Sequence, residues 1–394
     1  MTAPRLLSLL AAIAAALILA ACGDDPPAPS TAASAGGFAE VQRQARGQTV
    51  RWWLFGGDEG VNRYVDDVVA PAARRLGVSL RRVPVADTAD AVQRVVSERR
   101  AGRRTGGAVD LIWINGENFA SGKRAGLWLE DWATRLPNAR LLDPDDPSLR
   151  EDFRVPVDGQ ESPWQRAAFV FAHDRARTPR PPRSFDELLA FARANPGRVT
   201  YPAPPDFTGS AFVRQVVAAK GADAAMRYLH ELAPLLYRGG RSYPKSEAEL
   251  TRLFGDGEID LAMSYDAAFV RAAVRRGIVP RSARPFVLGD GTLQNVSFVA
   301  IPANAANAAG AQVVANLLLD PRLQAAKADP AGLGNPTVLQ LDRLDPAQRS
   351  AFTRAARSPY LLDDLGEALP ELAADEVAPL EQRWTREVLR GAGT

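Results

Sequence analysis

Cysteine and histidine are nearly absent from this chain. Among 394 residues there is one cysteine, Cys22, and two histidines, His173 and His230. A single cysteine leaves no partner for an internal disulfide. Each histidine sits in apolar surroundings, where a structural role is the plain reading. There is no G-x-S-x-G elbow, P-loop, H-E-x-x-H or G-x-G-x-x-G, so the chain reads as a non-enzyme with no cofactor and no metal. Asp256-Gly-Glu-Ile-Asp260 has carboxylates without calcium-loop spacing and reads as a turn. Excess charge is missing too. The formal net charge is +2, which argues against neutralising a phosphate backbone and so against nucleic acid. No internal repeat is visible.

What is present begins with one apolar run, residues 6–21, behind Arg5. Its length suits a signal segment better than a spanning helix. It ends in Leu19-Ala-Ala-Cys22, which looks like a bacterial lipobox. Residues 1–21 are then a signal peptide, and Cys22 becomes the lipidated residue of a stable membrane anchor. Gly23 rather than Asp follows, so the best-known inner-membrane retention signal is absent. Residues 22–48 open with Pro, Ala, Ser and Gly that cannot fill a core, and form a tether.

The remainder is 46% apolar over the whole chain, enough for two globular lobes. Strands are expected at 49–55, 78–85, 111–114, 166–173, 199–201, 259–264 and 296–301. Helices fall between them, one interrupted by Pro71. Ser184-Phe-Asp-Glu187 is a capping box. Alternation of this kind gives an α/β fold with parallel sheet. The most informative stretch is Asp110-Leu-Ile-Trp-Ile-Asn-Gly-Glu-Asn-Phe119. Its apolar half makes a strand buried on both faces. The strand stops at a glycine turn, at the sheet edge where α/β proteins hold ligands.

Trp113-Ile-Asn-Gly-Glu-Asn-Phe119, with the lipobox and Trp53-Leu-Phe-Gly-Gly57, resembles the solute-binding subunits of ABC importers, and within them the YnjB-type group. Asp206-Phe-Thr-Gly-Ser210, the run 255–262 and Ser264-Tyr-Asp266 are similar as well. The resemblance implies a two-lobed periplasmic-binding fold of type II, with a ligand cleft between lobes joined by hinge strands. It implies lobe one at 49–160 plus 290–394 and lobe two at 161–289, with hinges at 169–171 and 296–298. It also implies a small-molecule ligand, permease and ATPase partners, and a monomer anchored on the periplasmic side of the cytoplasmic membrane.

A cleft binder needs converging polar groups and flat apolar surface at strand ends and helix starts. On that basis Trp53, Phe55, Gly56, Gly57, Asn115, Gly116, Glu117 and Asn118 are expected to contact ligand from the first lobe. Trp164, Asp206, Thr208, Gly209, Tyr265, Asp266 and Asn295 would face them from the second lobe or the hinge. The rival role for each is core packing or helix capping. Carboxylates (Asp58, Glu59, Glu117, Asp206, Asp266) outnumber cations in these loops, which favours a cationic, thiamine-like ligand. Arg238 and Arg241 keep an anion open. Two alternatives remain. One is a lipid-anchored glycosidase using a pair such as Glu117 with Asp266. The other is a sensor that presents its closed form to a receptor.

Overall fold

A computed structural model describes residues 37–57, 59–329, 332–353 and 358–390. The signal segment, Cys22 and Asp58 lie outside the described residues. No described helix is long and apolar enough to cross a membrane.

Strands β1 (Thr49–Phe55), β2 (Ser79–Val85) and β3 (Leu111–Ile114) form the parallel side of a six-stranded sheet, with β1 between β3 and the edge strand β2. In β1 the alternate residues Val50, Trp52 and Leu54 are buried. β3 buries Leu111, Ile112 and Ile114, as a strand covered on both faces should. The helix after β1 does not run straight through Pro71. It passes from Glu59–Tyr64 through a π turn, Val65–Val69, into Ala70–Arg75. Proline has no N–H for the preceding turn, and the wider turn absorbs the defect.

A short hairpin, β4 (Glu151–Asp152) and β5 (Val155–Pro156), precedes the crossover between lobes. The single strand expected at 166–173 is two strands, β6 (Glu161–Ala168) and β7 (Val170–Asp174), separated at Phe169. β8 (Leu261–Ser264) and β9 (Ala283–Phe286) flank β7 antiparallel in a separate three-stranded sheet. β10 (Thr292–Ala300) returns to the large sheet between β3 and β6, antiparallel to both, and β11 (Ala368–Leu369) pairs with its first residues. Periodicity could not separate β6 from β7, because all but Arg166 and Ala167 are buried and neither strand alternates.

The chain therefore changes sheets at Phe169, whose N–H donates to Leu293 O at 2.9 Å. The return crossing lies within β10: Leu293 joins the apolar cluster of β7 and β8, and Val296 that of β1 and β3, so the expected hinge 296–298 starts where the strand enters the large sheet's core. Residues 199–201 form no strand; Tyr237 N–H donates to Val199 O, beside a bond from Gly197 N–H to Leu235 O, both at 2.8 Å.

Each sheet has its own core. The first joins Val50, Trp52, Leu54, Leu111 and Ile112 to Val313, Val314 and Leu318. The second joins Phe171, Phe185, Phe212, Leu229, Leu261 and Met263. The end of the chain does not stay with the first core, as the span 290–394 would require. Leu380, Trp384 and Val388 pack in the second, and Trp384 Nε1 donates to the Tyr201 hydroxyl at 2.9 Å. The same helix, Ala374–Trp384, sets Ala374 and Val377 against Ala120 and Phe153 near the first sheet. It spans both lobes.

Candidate functional site

The turn after β3 is built to hold its shape. Helix Gly116–Arg124 begins directly after β3 and Asn115, so Glu117 and Asn118 lie in its first turn. Asn115 at the N-cap makes no side-chain cap bond; its Nδ2 donates instead to Val296 O at 2.8 Å, tying the turn to β10. Gly116 has φ +57°, and a Cβ there would stand 2.8 Å from the Phe153 ring. Glycine is required twice over, by conformation and by space. Its N–H donates at 2.6 Å to Oδ2 of Asp152, which is buried in the hairpin opposite.

From the second lobe, helix Phe207–Lys220 brings Arg214 to the same place. Arg214 is 2% exposed. Its Nε donates to Glu371 Oε2 at 2.9 Å and its Nη1 to Ser210 Oγ at 2.7 Å. The guanidinium carbon lies 5.3 Å from the ring centre of Phe153 and 5.4 Å from that of Phe207. The Tyr265 hydroxyl donates to Glu371 Oε1 at 2.7 Å, and the Tyr265 ring lies 5.6 Å from Phe207. Burial opposes the charge of Arg214, but adjacent Glu371 outweighs it and raises the guanidinium pKa. The cation is thus consumed by a protein carboxylate.

Glu117 stands near this pair with an exposed surface. Enclosure by protein still raises its carboxyl above the ordinary value, against the lowering effects of its own backbone N–H and of Arg214; Glu381 and Asp87 raise it further. Accessible to water yet hemmed in on several sides, it has the setting of a cleft side chain. Behind it, Asp152 and Glu161 are fully enclosed, and burial holds both well above the carboxylate range.

The expected contact residues divide. Asn115, Gly116, Glu117 and Tyr265 belong to this centre. Phe55 ends β1 with 44% of its surface exposed, and its ring covers Gly57, where a Cβ would stand 2.4 Å away. Gly56 does not offer free backbone groups: its N–H donates to Val85 O at 2.9 Å, and its carbonyl accepts from Asn62 Nδ2. Trp53 points away from the turn. Its Nε1 donates to Ala108 O at 3.4 Å, upstream of its β3 partner Ile112.

Trp164 is fully buried, edge-on to Trp52 and Trp113 and beneath Lys327, so it is a core residue. Asp206 caps its helix through Gly209 N–H at 3.0 Å. A Cβ on Gly209 would lie 1.9 Å from Pro202 O, so this glycine serves backbone contact. Thr208 and Ser264 hydroxyls both donate to Glu247, and Asp266 caps the next turn through Ala268 N–H at 2.9 Å. These are structural assignments. Asn118 is half-buried and its carbonyl accepts from Ser121 Oγ. Asn295 is half-buried on β10, opposite Ala167 of β6. Glu59 is paired with Arg63 and Arg276, which removes it from the pool of open carboxylates.

Sequence reading missed Asp152, Phe153, Phe207, Arg214 and Glu371. Arg214 alone carried a signal: a charge in the apolar run Ala211-Phe-Val-Arg-Gln-Val-Val217. Among the described residues, no cluster of His, Cys, Asp and Glu could hold a metal ion. His173 accordingly has a structural partner, Nδ1 lying 2.7 Å from Thr178 O, and burial lowers its pKa.

Comparison with known proteins agrees with this architecture. Residues 68–350 match the family described as bacterial extracellular solute-binding protein. Protein YnjB of Escherichia coli (strain K12) is 42% identical over 373 residues, covering 90% of this chain and 95% of that protein. Among solved structures, the periplasmic binding protein AfuA from Actinobacillus pleuropneumoniae, with fructose-6-phosphate bound, superposes with a TM-score of 0.63 at 15% identity, covering 86% of this chain and 98% of its own. A periplasmic thiamin binding protein gives 0.60 at 19% identity, covering 88% and 96%. These structures have the two-lobed type II binding fold, and the chain shares it.

Proposed function

Because the chain belongs to the bacterial extracellular solute-binding protein family, we propose that it captures a small cationic ligand by closure of its two lobes. The closed form then delivers the ligand to an ABC permease driven by its ATPase. The observation that carries the cationic class is the charge pattern of the cleft. Arg214 is already neutralised by Glu371, whereas Glu117 keeps an exposed surface and its carboxylate is held by its own helix turn, with no side-chain ion pair among the described residues beyond the field of Arg214. The exposed rings of Phe55 and Phe207 supply flat surfaces that attract cations. A ligand of the thiamine kind, with positive charge on an aromatic body, suits both features. Among similar folds is a periplasmic thiamin binding protein.

In this reading the ligand bridges groups from both lobes, and that differential contact drives closure. Lobe one comprises residues 38–168 and the chain from 296 to the helix Pro346–Thr353; it includes the helix Phe38–Ala45, expected in the tether, whose Val41 and Ala45 pack in the first core. Lobe two comprises 169–293 rather than 161–289, because β6 stays in the large sheet, and it gains the C-terminal helix. Residues 1–21 are removed, Cys22 carries the lipid, and the monomeric body works on the periplasmic side of the cytoplasmic membrane.

Thermal unfolding against thiamine, its phosphates, polyamines, sugars, amino acids and ferric iron tests the proposal. A ligand that binds only the folded state stabilises it by about 2.7 kcal/mol at a hundred times its dissociation constant. A saturable shift with cations that Glu117→Gln abolishes is the expected result. The substitution itself should leave the melting temperature level or slightly raised, since the enclosed carboxylate is disfavoured. A shift with sugars or anions alone, or one insensitive to Glu117→Gln, would overturn the cationic class.

A further inference from the structure

The helix Phe269–Arg275 of the second lobe ends beside the first lobe, and two of its arginines reach across. Arg271 is 5% exposed, and its Nη2 donates to the carbonyl of Gly332 at 2.6 Å. Gly332 follows the helix Pro321–Ala328, whose Leu323 lies in the first core. At the C-cap of the Phe269–Arg275 helix, Arg276 Nη1 lies 3.3 Å from Glu59 Oε2. Glu59 opens the helix that follows β1, so it too belongs to the first lobe. Neither contact is to a residue of the Glu117–Arg214 centre.

We propose that Arg271 and Arg276 form an interlobe clasp, and that this clasp sets how often the cleft is closed. They are positioning residues: they act on capture through the lobe equilibrium and do not touch ligand. The proposal rests on the closure mechanism above.

The two contacts differ in kind. Arg271 makes a buried hydrogen bond to a backbone carbonyl, little affected by salt. Burial is the largest effect lowering its pKa, and Arg275 and Arg63 add to this, while Asp329 and Asp266 act in the opposite direction. The Arg276–Glu59 pair is half-exposed, with side chains 32% and 57% accessible, so salt screens it. Gly334 fits the same junction, where a Cβ would stand 3.1 Å from Arg271 Nη1. The loop 332–334 is therefore packed against the clasp rather than draped over it.

An affinity that depends on a binding-competent population falls in proportion to that population. An exposed pair such as Arg276–Glu59 should change the closed-to-open ratio by about 1.5- to 5-fold. The change should be nearly uniform across ligands of one class, because the clasp reads none of them.

The test measures lobe separation directly and needs no ligand. Spin labels are placed at Ser97→Cys and Ala222→Cys, exposed sites in opposite lobes, in the full chain carrying Cys22→Ser. Electron–electron distance distributions are recorded for the parent, Arg276→Ala, Arg271→Ala and the charge exchange Glu59→Arg with Arg276→Glu. The expected result is a larger long-distance population in both alanine variants. The charge exchange should restore the parent distribution, and about 1 M salt should reproduce the Arg276→Ala distribution in the parent. Unchanged distributions in both alanine variants would overturn the clasp. Melting curves run alongside identify any variant that has lost its fold, and the charge exchange then decides. A silent ligand panel with shifted distances would instead count against the cationic-ligand reading and leave the clasp standing.

Discussion

Replacing Glu371 by alanine would leave the Arg214 guanidinium buried with no carboxylate beside it. The structure supports a large effect. Arg214 is 2% and Glu371 5% accessible at the side chain, and their closest contact is 2.9 Å. Removing one partner of such a pair costs about 3–5 kcal/mol, because the remaining charge stays desolvated. The Tyr265 hydroxyl loses its acceptor in the same step, which adds to the penalty within that range. The Arg183–Glu187 pair, 84% and 47% accessible, gives the internal contrast, and breaking it should cost far less because both charges stay in water. Replacing both buried partners, Arg214→Met with Glu371→Leu, removes the unpaired charge and should recover most of the loss. Urea unfolding of the parent, Arg214→Met, Glu371→Leu and the double variant yields the coupling energy. A cost below about 1 kcal/mol for Glu371→Ala would refute the view of Arg214 as a desolvated, internally neutralised cation. It would also reopen Arg214 as an anion receptor.

Two further outcomes follow from the same geometry. Burial raises the carboxyls of Asp152 and Glu161, so the folded protein keeps protons that an unfolded carboxylate releases near pH 4. Their contribution is complete below that pH and is lost as pH rises through the folded values. Unfolding free energy followed upward from pH 4 should show this falling component, and Asp152→Asn with Glu161→Gln should flatten it. Gly209→Ala should destabilise more than Gly116→Ala. The first drives a Cβ to 1.9 Å from the fixed carbonyl of Pro202, whereas the second meets a ring that can shift. Equal melting temperatures for the two would contradict the crowding argument.

Much of this protein is legible before folding. The apolar quartet of β3, the alternation in β1 and the Asp87, Ser184 and Ser246 caps are local, set by chain geometry and nearest neighbours. Even there the sequence was ambiguous: the Glu187 carboxylate accepts from Arg183 N–H, one residue before the expected partner. Glu117 could be named because it follows a buried strand and a glycine turn. Tertiary structure decided the rest. Whether Trp164 meets ligand or Lys327 depends on what packs over it. Whether Glu59 is an open carboxylate depends on Arg276, 217 positions away. Arg214 and Glu371 are separated by 157 positions. No window on the chain shows that one neutralises the other, because pairing of charges is a property of distance in space.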